Sequence, residues 1–158
     1  WRKRNTHERP NPRGMMLPYL PATLPFPTPS LDLVEFWRNC AERRLKFQAC
    51  AECSVARHPP TPLCPHCHSK LITWIEAPSI GRIFSYTIVH NSSHETVGAY
   101  LPYNVVLVEY EGMDNLRLVS NVIDAAPHEL AIGREVVLAW EEGPEGQLLP
   151  RFKLHQGD

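Results

Sequence analysis

The spacing of hydrophobic and polar positions changes twice along this chain. Between residues 32 and 45, Leu33, Phe36, Trp37, Cys40 and Ala41 recur at helical spacing and make one apolar stripe, while Arg38, Glu42, Arg43 and Arg44 fall on the other side. This predicts an amphipathic helix. Asp32, with Glu35 three residues on, predicts a capping-box start. Cys40 lies on the apolar stripe and reads as a small buried thiol. After residue 45 the apolar runs become short and strand-like, first Leu45-Lys-Phe-Gln and later Leu71-Ile-Thr-Trp-Ile-Glu.

From residue 81 the pattern is that of β structure. Arg82 to His90 is a long run of β-branched and aromatic residues. Runs over 103–110, 116–123, 135–140 and 148–154 follow, separated by turn residues, with about one helical turn inside Asp124–Gly133. Phe84, Tyr86 and Tyr103 alternate as core residues would. Five short strands with a helical turn between the third and fourth predict a small Greek-key barrel of OB type. The segment from His90 to Pro102 carries no period and is long for a compact domain, which marks it as a functional or mobile loop, at a position where OB folds bind ligands.

The region ahead of the helix has no packing pattern. Residues 1–29 hold seven of the sixteen prolines and read as an arm or linker. The run from Leu17 to Phe26 is apolar as well, so wrapping over a partner and packing on its own domain are both open. The start at Trp1, followed by an Arg- and Lys-rich stretch, favours a piece cut from a longer polypeptide over a tag remnant. The expected organisation is therefore mainly β: a Pro-rich arm (1–29), an N-terminal helix with a rubredoxin-like zinc ribbon (30–76), and a C-terminal five-stranded OB-fold barrel (77–158).

The ribbon expectation rests on four cysteines. Cys50-Ala-Glu-Cys53 and Cys64-Pro-His-Cys67 stand ten residues apart, and four thiolates so spaced can close a tetrahedron around one metal ion. Neither pair opens a helix in a βαβ context, as a redox dithiol does. Zn2+ is the expected ion; iron in a rubredoxin-like site uses the same ligands. His58, His66 and His68 read as surface residues, because the cysteines already complete the shell. A unit of this size cannot bury an adequate core alone, and structural zinc contributes on the order of 10 kcal/mol to folding.

Charge narrows the function. The net charge of −1 hides an asymmetry: residues 1–77 carry 11 Lys/Arg against 6 Asp/Glu, and residues 78–158 carry 5 against 11. An acidic barrel repels phosphate backbones, so nucleic acid is not the expected partner. No run of about 18 apolar residues is present, so no membrane span is expected. No signal-peptide pattern is present either, and reduced metal-binding cysteines point to the cytoplasm. Candidate catalytic groups are confined to the loop, at His90, Ser92, Ser93, His94 and Glu95, and make no obvious self-contained set. Arg151 beside Phe152 is the one candidate contact for a nucleotide, with an interface salt bridge as its competing reading.

The ordered set of Phe36-Trp37, Cys50-x-x-Cys53, Pro59-Pro60, Cys64-Pro-x-Cys67, Gly81-Arg-Ile-Phe-Ser-Tyr-Thr-Ile-Val-His90, Pro102-Tyr103 and Pro150-Arg-Phe152 resembles the zinc-ribbon/OB-fold family catalogued as domain of unknown function thirty-five. The resemblance covers roughly residues 30–154. It implies an accessory subunit or domain that works with a thiolase-like protein on acyl-CoA thioesters, in acyl transfer or in the retro-aldol shortening of steroid side chains. The catalytic groups then belong to the thiolase-like partner, and acyl-CoA is a possible shared ligand. A two-plus-two heterotetramer and a fused MaoC-type hydratase domain are the expected context. Phe36, Trp37, His90, His94, Tyr103, Arg151 and the arm from Leu17 to Phe26 are the candidates for contact with partner or substrate. The alternative is a stand-alone OB-fold protein binding acyl-CoA or nucleic acid.

Overall fold

A computed structural model describes residues 19–21, 23–24, 29–113, 116–143 and 146–157. Most of the arm lies outside the described residues. A 3-10 turn over Leu31–Leu33 leads into helix α1 (Val34–Ala41), which is shorter than the expected 32–45. The capping box does not form, since neither helical start has a side-chain cap. Glu35 is spent within the helix instead. Its carboxylate accepts from Arg38 Nη1 at 2.5 Å, and its carbonyl accepts from Asn39 Nδ2 at 2.7 Å.

The helix stops at a Schellman motif. The Arg43 N–H donates to Cys40 O, and the Arg44 N–H donates to Asn39 O, both at 2.9 Å. Arg43 closes the motif at φ 57°, a conformation that suits glycine and costs other residues about 1 kcal/mol. We expect Arg43→Gly to raise stability by about 0.5 kcal/mol or slightly more, read as a shift in the thermal midpoint.

The ribbon sheet has the order β2-β1-β3, with β1 (Lys46–Cys50), β2 (Ala56–Arg57) and β3 (Ile72–Glu76), all antiparallel. The barrel follows: β4 (Ile80–Val89), β5 (Tyr103–Glu109), β6 (Arg117–Ser120), β7 (Glu135–Glu142) and β8 (Leu148–Leu154), in the order β6-β5-β4-β7-β8. A 3-10 turn at Pro127–Glu129 occupies the expected helical position between the third and fourth barrel strands. The loop after β4 carries a short helix, α2 (Glu95–Gly98), where no regular structure was expected.

The barrel closes beyond the end of β6. Residues 121–123 leave β5 and run parallel to β8. Val122 bridges Phe152, the Ile123 N–H donates to Phe152 O at 2.8 Å, and the Phe152 N–H donates to Asn121 O at 3.0 Å. A parallel bridge between the third and fifth strands converts a curled sheet into an OB barrel. Gly81 permits the tight crossing of β4 over β5, because a Cβ there would lie 2.5 Å from Val108 Cγ1.

In β4 Gly81 and Ile83 face inward while Ile80, Arg82 and Phe84 face outward; Phe84 is 42% exposed, and Tyr86, beyond a register shift between Ile83 and Ser85, is 37% exposed. Neither is the expected core residue, because the aromatic rings fall on the outward phase. The Arg117 guanidinium lies 3.8 Å from the centre of the Phe84 ring instead, a cation–π contact at the surface.

Helix, ribbon and barrel share one core. Phe36 and Cys40 from α1, Leu45 and Phe47 from the ribbon, and Ile83, Val108, Tyr110 and Phe152 from the barrel belong to a single buried cluster. Phe47 meets Tyr110 with ring centres 5.5 Å apart. The Tyr110 hydroxyl is buried with no partner among the described residues, and burial pushes its ionisation above the ordinary tyrosine range. A stranded hydroxyl loses its hydration without compensation. Tyr110→Phe is therefore expected to leave stability unchanged or raise it by up to about 1 kcal/mol in chemical denaturation.

Candidate metal centre

Each pair of cysteines sits on a tight loop, and the two loops repeat the same backbone. In the first, the Ser54 N–H donates to Cys50 O and the Cys50 N–H to Val55 O, both at 3.0 Å. In the second, the His68 N–H donates to Cys64 O and the Cys64 N–H to Ser69 O, both at 2.9 Å. Ser54 and His68, the residues that follow each pair, both take positive φ, 61° and 59°. A further bond, from the Ala51 N–H to Leu71 O at 3.0 Å, ties the first loop to the strand after the second.

These loops aim four sulfurs at one point. All four Sγ atoms lie within 4.8 Å of one another, with Cys50–Cys67 and Cys53–Cys64 each at 3.5 Å. Zinc–sulfur bonds of about 2.3 Å place tetrahedral sulfurs roughly 3.8 Å apart, so the cage has the right size. Backbone N–H groups supply the second layer. Those of Cys53 and Glu52 pull the Cys50 thiol down, and those of Cys67 and His66 pull Cys64 down to about 6. The N–H groups of Val55 and Ser69 point at Cys53 and Cys67 as well, but burial and the crowding of the neighbouring sulfurs outweigh them and hold these two thiols above the ordinary range. Donors aimed at sulfur favour the thiolate, which is the form that binds metal. A full shell of four sulfurs leaves no open position for substrate, so the centre is structural.

His58 is where the sequence reading goes wrong near the metal. It is not a surface residue: its ring lies 4.7 Å from that of Phe36 and 5.6 Å from that of Phe47, under α1. Burial lowers its pKa to about 4. The unfolded chain takes up a proton near pH 6.5, whereas the folded chain resists until about pH 4. The stability of the neutral buried ring is therefore complete above pH 6.5 and is lost as pH falls toward 4. We expect a loss of roughly 2–3 kcal/mol across that window in urea midpoints, and His58→Leu should flatten that part of the profile.

The remaining candidates divide between interior and surface. Phe36 is 2% exposed and belongs to the core, so it offers no contact surface. Trp37 packs edge-on against Phe36 at 5.1 Å and keeps part of its ring exposed. His90 and His94 are exposed on the loop after β4. His94 Nδ1 lies 2.7 Å from Thr96 Oγ1, whereas Ser92 Oγ bonds the backbone of His94 and not its ring. Tyr103 opens β5 at the end of that loop, half-buried.

Arg151 turns inward. Its Nε donates to Glu141 at 2.8 Å and its Nη1 to Asn121 Oδ1 at 2.5 Å, with side-chain exposures of 11% and 13% for the ion pair. Glu141 thus supplies the salt bridge that was the competing reading of Arg151. This pair is one corner of a polar ring that sequence reasoning did not find. The Asn104 side-chain amide behaves like a missing length of backbone, donating to Val122 O and accepting from the Val122 N–H, both at 2.8 Å. The Asn121 amide donates to Asn104 O. The Tyr19 hydroxyl accepts from the Asn104 N–H at 2.8 Å and from its Nδ2 at 2.6 Å, while the Tyr19 N–H donates to Glu141. At Tyr19 the arm therefore packs on its own barrel. A signal was present: Asn104 shares the inward phase of β5 with Val106 and Val108.

Among the described residues, no helix is long and apolar enough to cross a membrane. Comparison with known proteins now gives this geometry a family. Residues 37–72 match the model of the ChsH2 rubredoxin-like zinc ribbon domain, and residues 74–141 match that of the ChsH2 C-terminal OB-fold domain. A probable enoyl-CoA hydratase alpha subunit of Thermomonospora curvata is 41% identical over 119 residues, which is 75% of this chain but 36% of that protein. The chain thus spans about a third of that relative's length. A DUF35 domain-containing scaffold protein of Methanothermobacter thermautotrophicus is 30% identical over 129 residues, covering 78% of this chain and 95% of the relative. Among solved structures, a chain of the Ltp2-ChsH2(DUF35) aldolase superposes with a TM-score of 0.74 at 37% identity, over 82% of this chain and 98% of that one. A DUF35 family protein of unknown function from Sulfolobus solfataricus, 18% identical with a TM-score of 0.56 over 77% of this chain and 83% of that one, shares the fold. With ribbon and barrel matched in order and a scaffold protein covered almost end to end, the chain belongs to the DUF35 family of zinc-ribbon/OB-fold scaffold proteins.

Proposed function

We propose that this chain is a non-catalytic scaffold, built around a structural zinc, for a thiolase-like enzyme that acts on acyl-CoA thioesters. The observation that carries this reading is the likeness to the DUF35 chain of an aldolase, which extends over almost all of that chain. The site chemistry agrees. The metal shell is closed, and the hydroxyl–imidazole contact of the loop, Thr96 with His94, is exposed and has no third group orienting the ring among the described residues. Trp37, His90, His94 and Tyr103 are the surface positions through which the partner and its acyl-CoA channel would be met. The reaction is carbon–carbon bond cleavage of the retro-aldol type in preference to acyl transfer, and the assembly is two-plus-two. The hydratase name of the Thermomonospora relative supports a MaoC-type hydratase unit working beside this one.

Co-expression with a thiolase-like partner, size-exclusion chromatography and metal analysis of each peak test this directly. Co-elution with one zinc per scaffold chain is the expected result. A lone monomer indifferent to the partner would overturn it and return attention to ligands bound by this chain alone.

A further inference from the structure

The four cysteines of the metal centre differ in access. Cys50 and Cys64 are buried, whereas Cys53 and Cys67 are both open in part, and as a whole residue Cys67 is the more exposed of the two. The close sulfur pairs run between the two knuckles: Cys67 with Cys50, and Cys53 with Cys64, each at 3.5 Å. The most exposed cysteine therefore has a buried reaction partner on the opposite loop.

We propose that Cys67 is a site of oxidation by hydroperoxides, and that its oxidation replaces the metal with two disulfides across the knuckles, Cys50–Cys67 and then Cys53–Cys64. The Cys67 thiolate attacks the peroxide; the O–O bond breaks, an S–O bond forms and hydroxide leaves, giving a sulfenic acid. The Cys50 thiolate then attacks the Cys67 sulfur; the S–O bond breaks, the S–S bond forms and a second hydroxide leaves. The two sulfurs together lose two electrons and the peroxide gains them. The shell has then lost two of its four donors, so the ion departs. Cys53 and Cys64 repeat the sequence with a second peroxide.

Pairing across the knuckles has a structural consequence that pairing within them lacks. A Cys50–Cys53 or Cys64–Cys67 bond would staple each loop to itself and leave nothing joining the two. The crossed bonds join the same two loops that the ion joined, so the ribbon outlasts its metal. Cys40 provides an internal reference. It is fully buried on the inner face of α1, out of reach of a peroxide, so it stays reduced.

The test is a hydrogen peroxide titration of the zinc-loaded chain, with released zinc followed by a chromogenic chelator, non-reducing peptide mapping and far-ultraviolet circular dichroism. Zinc release, a Cys50–Cys67 peptide appearing first, an unmodified Cys40 and a retained spectrum are expected, with recovery on adding dithiothreitol and zinc. Cys67→His keeps a fourth metal donor but removes the reactive sulfur, and should slow release by about tenfold or more. Peptides paired within a knuckle, release from Cys67→His at the wild-type rate, or zinc retention at peroxide doses that oxidise free glutathione alongside would each overturn the proposal.

Discussion

Stripping the zinc with a strong chelator, or replacing Cys64 with serine, is expected to melt the ribbon and to loosen the barrel with it. Cys64 is fully buried, and its sulfur collects two backbone N–H groups and is one of the four that would hold the metal. The ribbon strands hold five, two and five residues, too few to bury a self-sufficient core. The metal therefore carries a contribution on the order of 10 kcal/mol, comparable to the whole stability of a typical domain. The loss does not stop at residue 76. Phe47, the second residue of β1, has no exposure and packs its ring against Tyr110 of the barrel, so unfolding the ribbon opens one wall of the shared cluster. Hydrogen exchange checks both parts: protection should collapse over 46–76 and fall measurably over 103–110. Barrel protection unchanged after zinc removal would show that the two units are stable independently.

Asn104→Ala is expected to be the most damaging substitution away from the metal, at about 3–5 kcal/mol in chemical denaturation. The estimate follows from what the change leaves behind. The Val122 N–H and C=O lie at the barrel seam, and both are satisfied by the Asn104 amide. Alanine removes both partners, and each stranded buried backbone group costs about 1–3 kcal/mol. Contact with the Tyr19 hydroxyl weakens as well. Aspartate is no remedy, since it keeps an acceptor for the Val122 N–H but turns a second oxygen toward the Val122 carbonyl. A loss below about 1 kcal/mol would mean that water replaces the amide and that the seam is open to solvent.

The metal centre and the strand order of events were legible because both are written in local patterns. Two Cys-x-x-Cys pairs announce a tetrahedral site, and five β runs around one helical turn announce an OB barrel; both are present. Departures came where long-range contact overrides a local rule. The capping box at Asp32 failed because a 3-10 turn starts ahead of it and places Asp32 inside the turn instead of at its cap, while Glu35 bonds Arg38 and Asn39. Phe84 lies outside the core because it shares the outward phase of Ile80 and Arg82, and period-two alternation defines two faces without saying which one is buried. His58 looked like one more polar residue in a metal-rich loop, yet it fills the gap between Phe36 and Phe47, a gap that exists only once α1 and the ribbon have met. Arg151 showed its charge but not its partner, because Glu141 and Asn121 reach it from other strands.

The seam at Phe152 also bears on the order in which the protein can take shape during synthesis. A ribosome delivers helix, ribbon and β4–β7 before it delivers β8, yet Phe152 of β8 is the residue that residues 121–123 must find. Until then the nascent barrel is a curled sheet with two unpaired edges, β6 and β7. The ribbon has no such wait, since its three strands and four ligands are contiguous between residues 46 and 76. Loaded with zinc, it can present Phe47 as a finished wall against which the later strands condense, shortening the interval during which a half-made barrel is exposed to wrong partners.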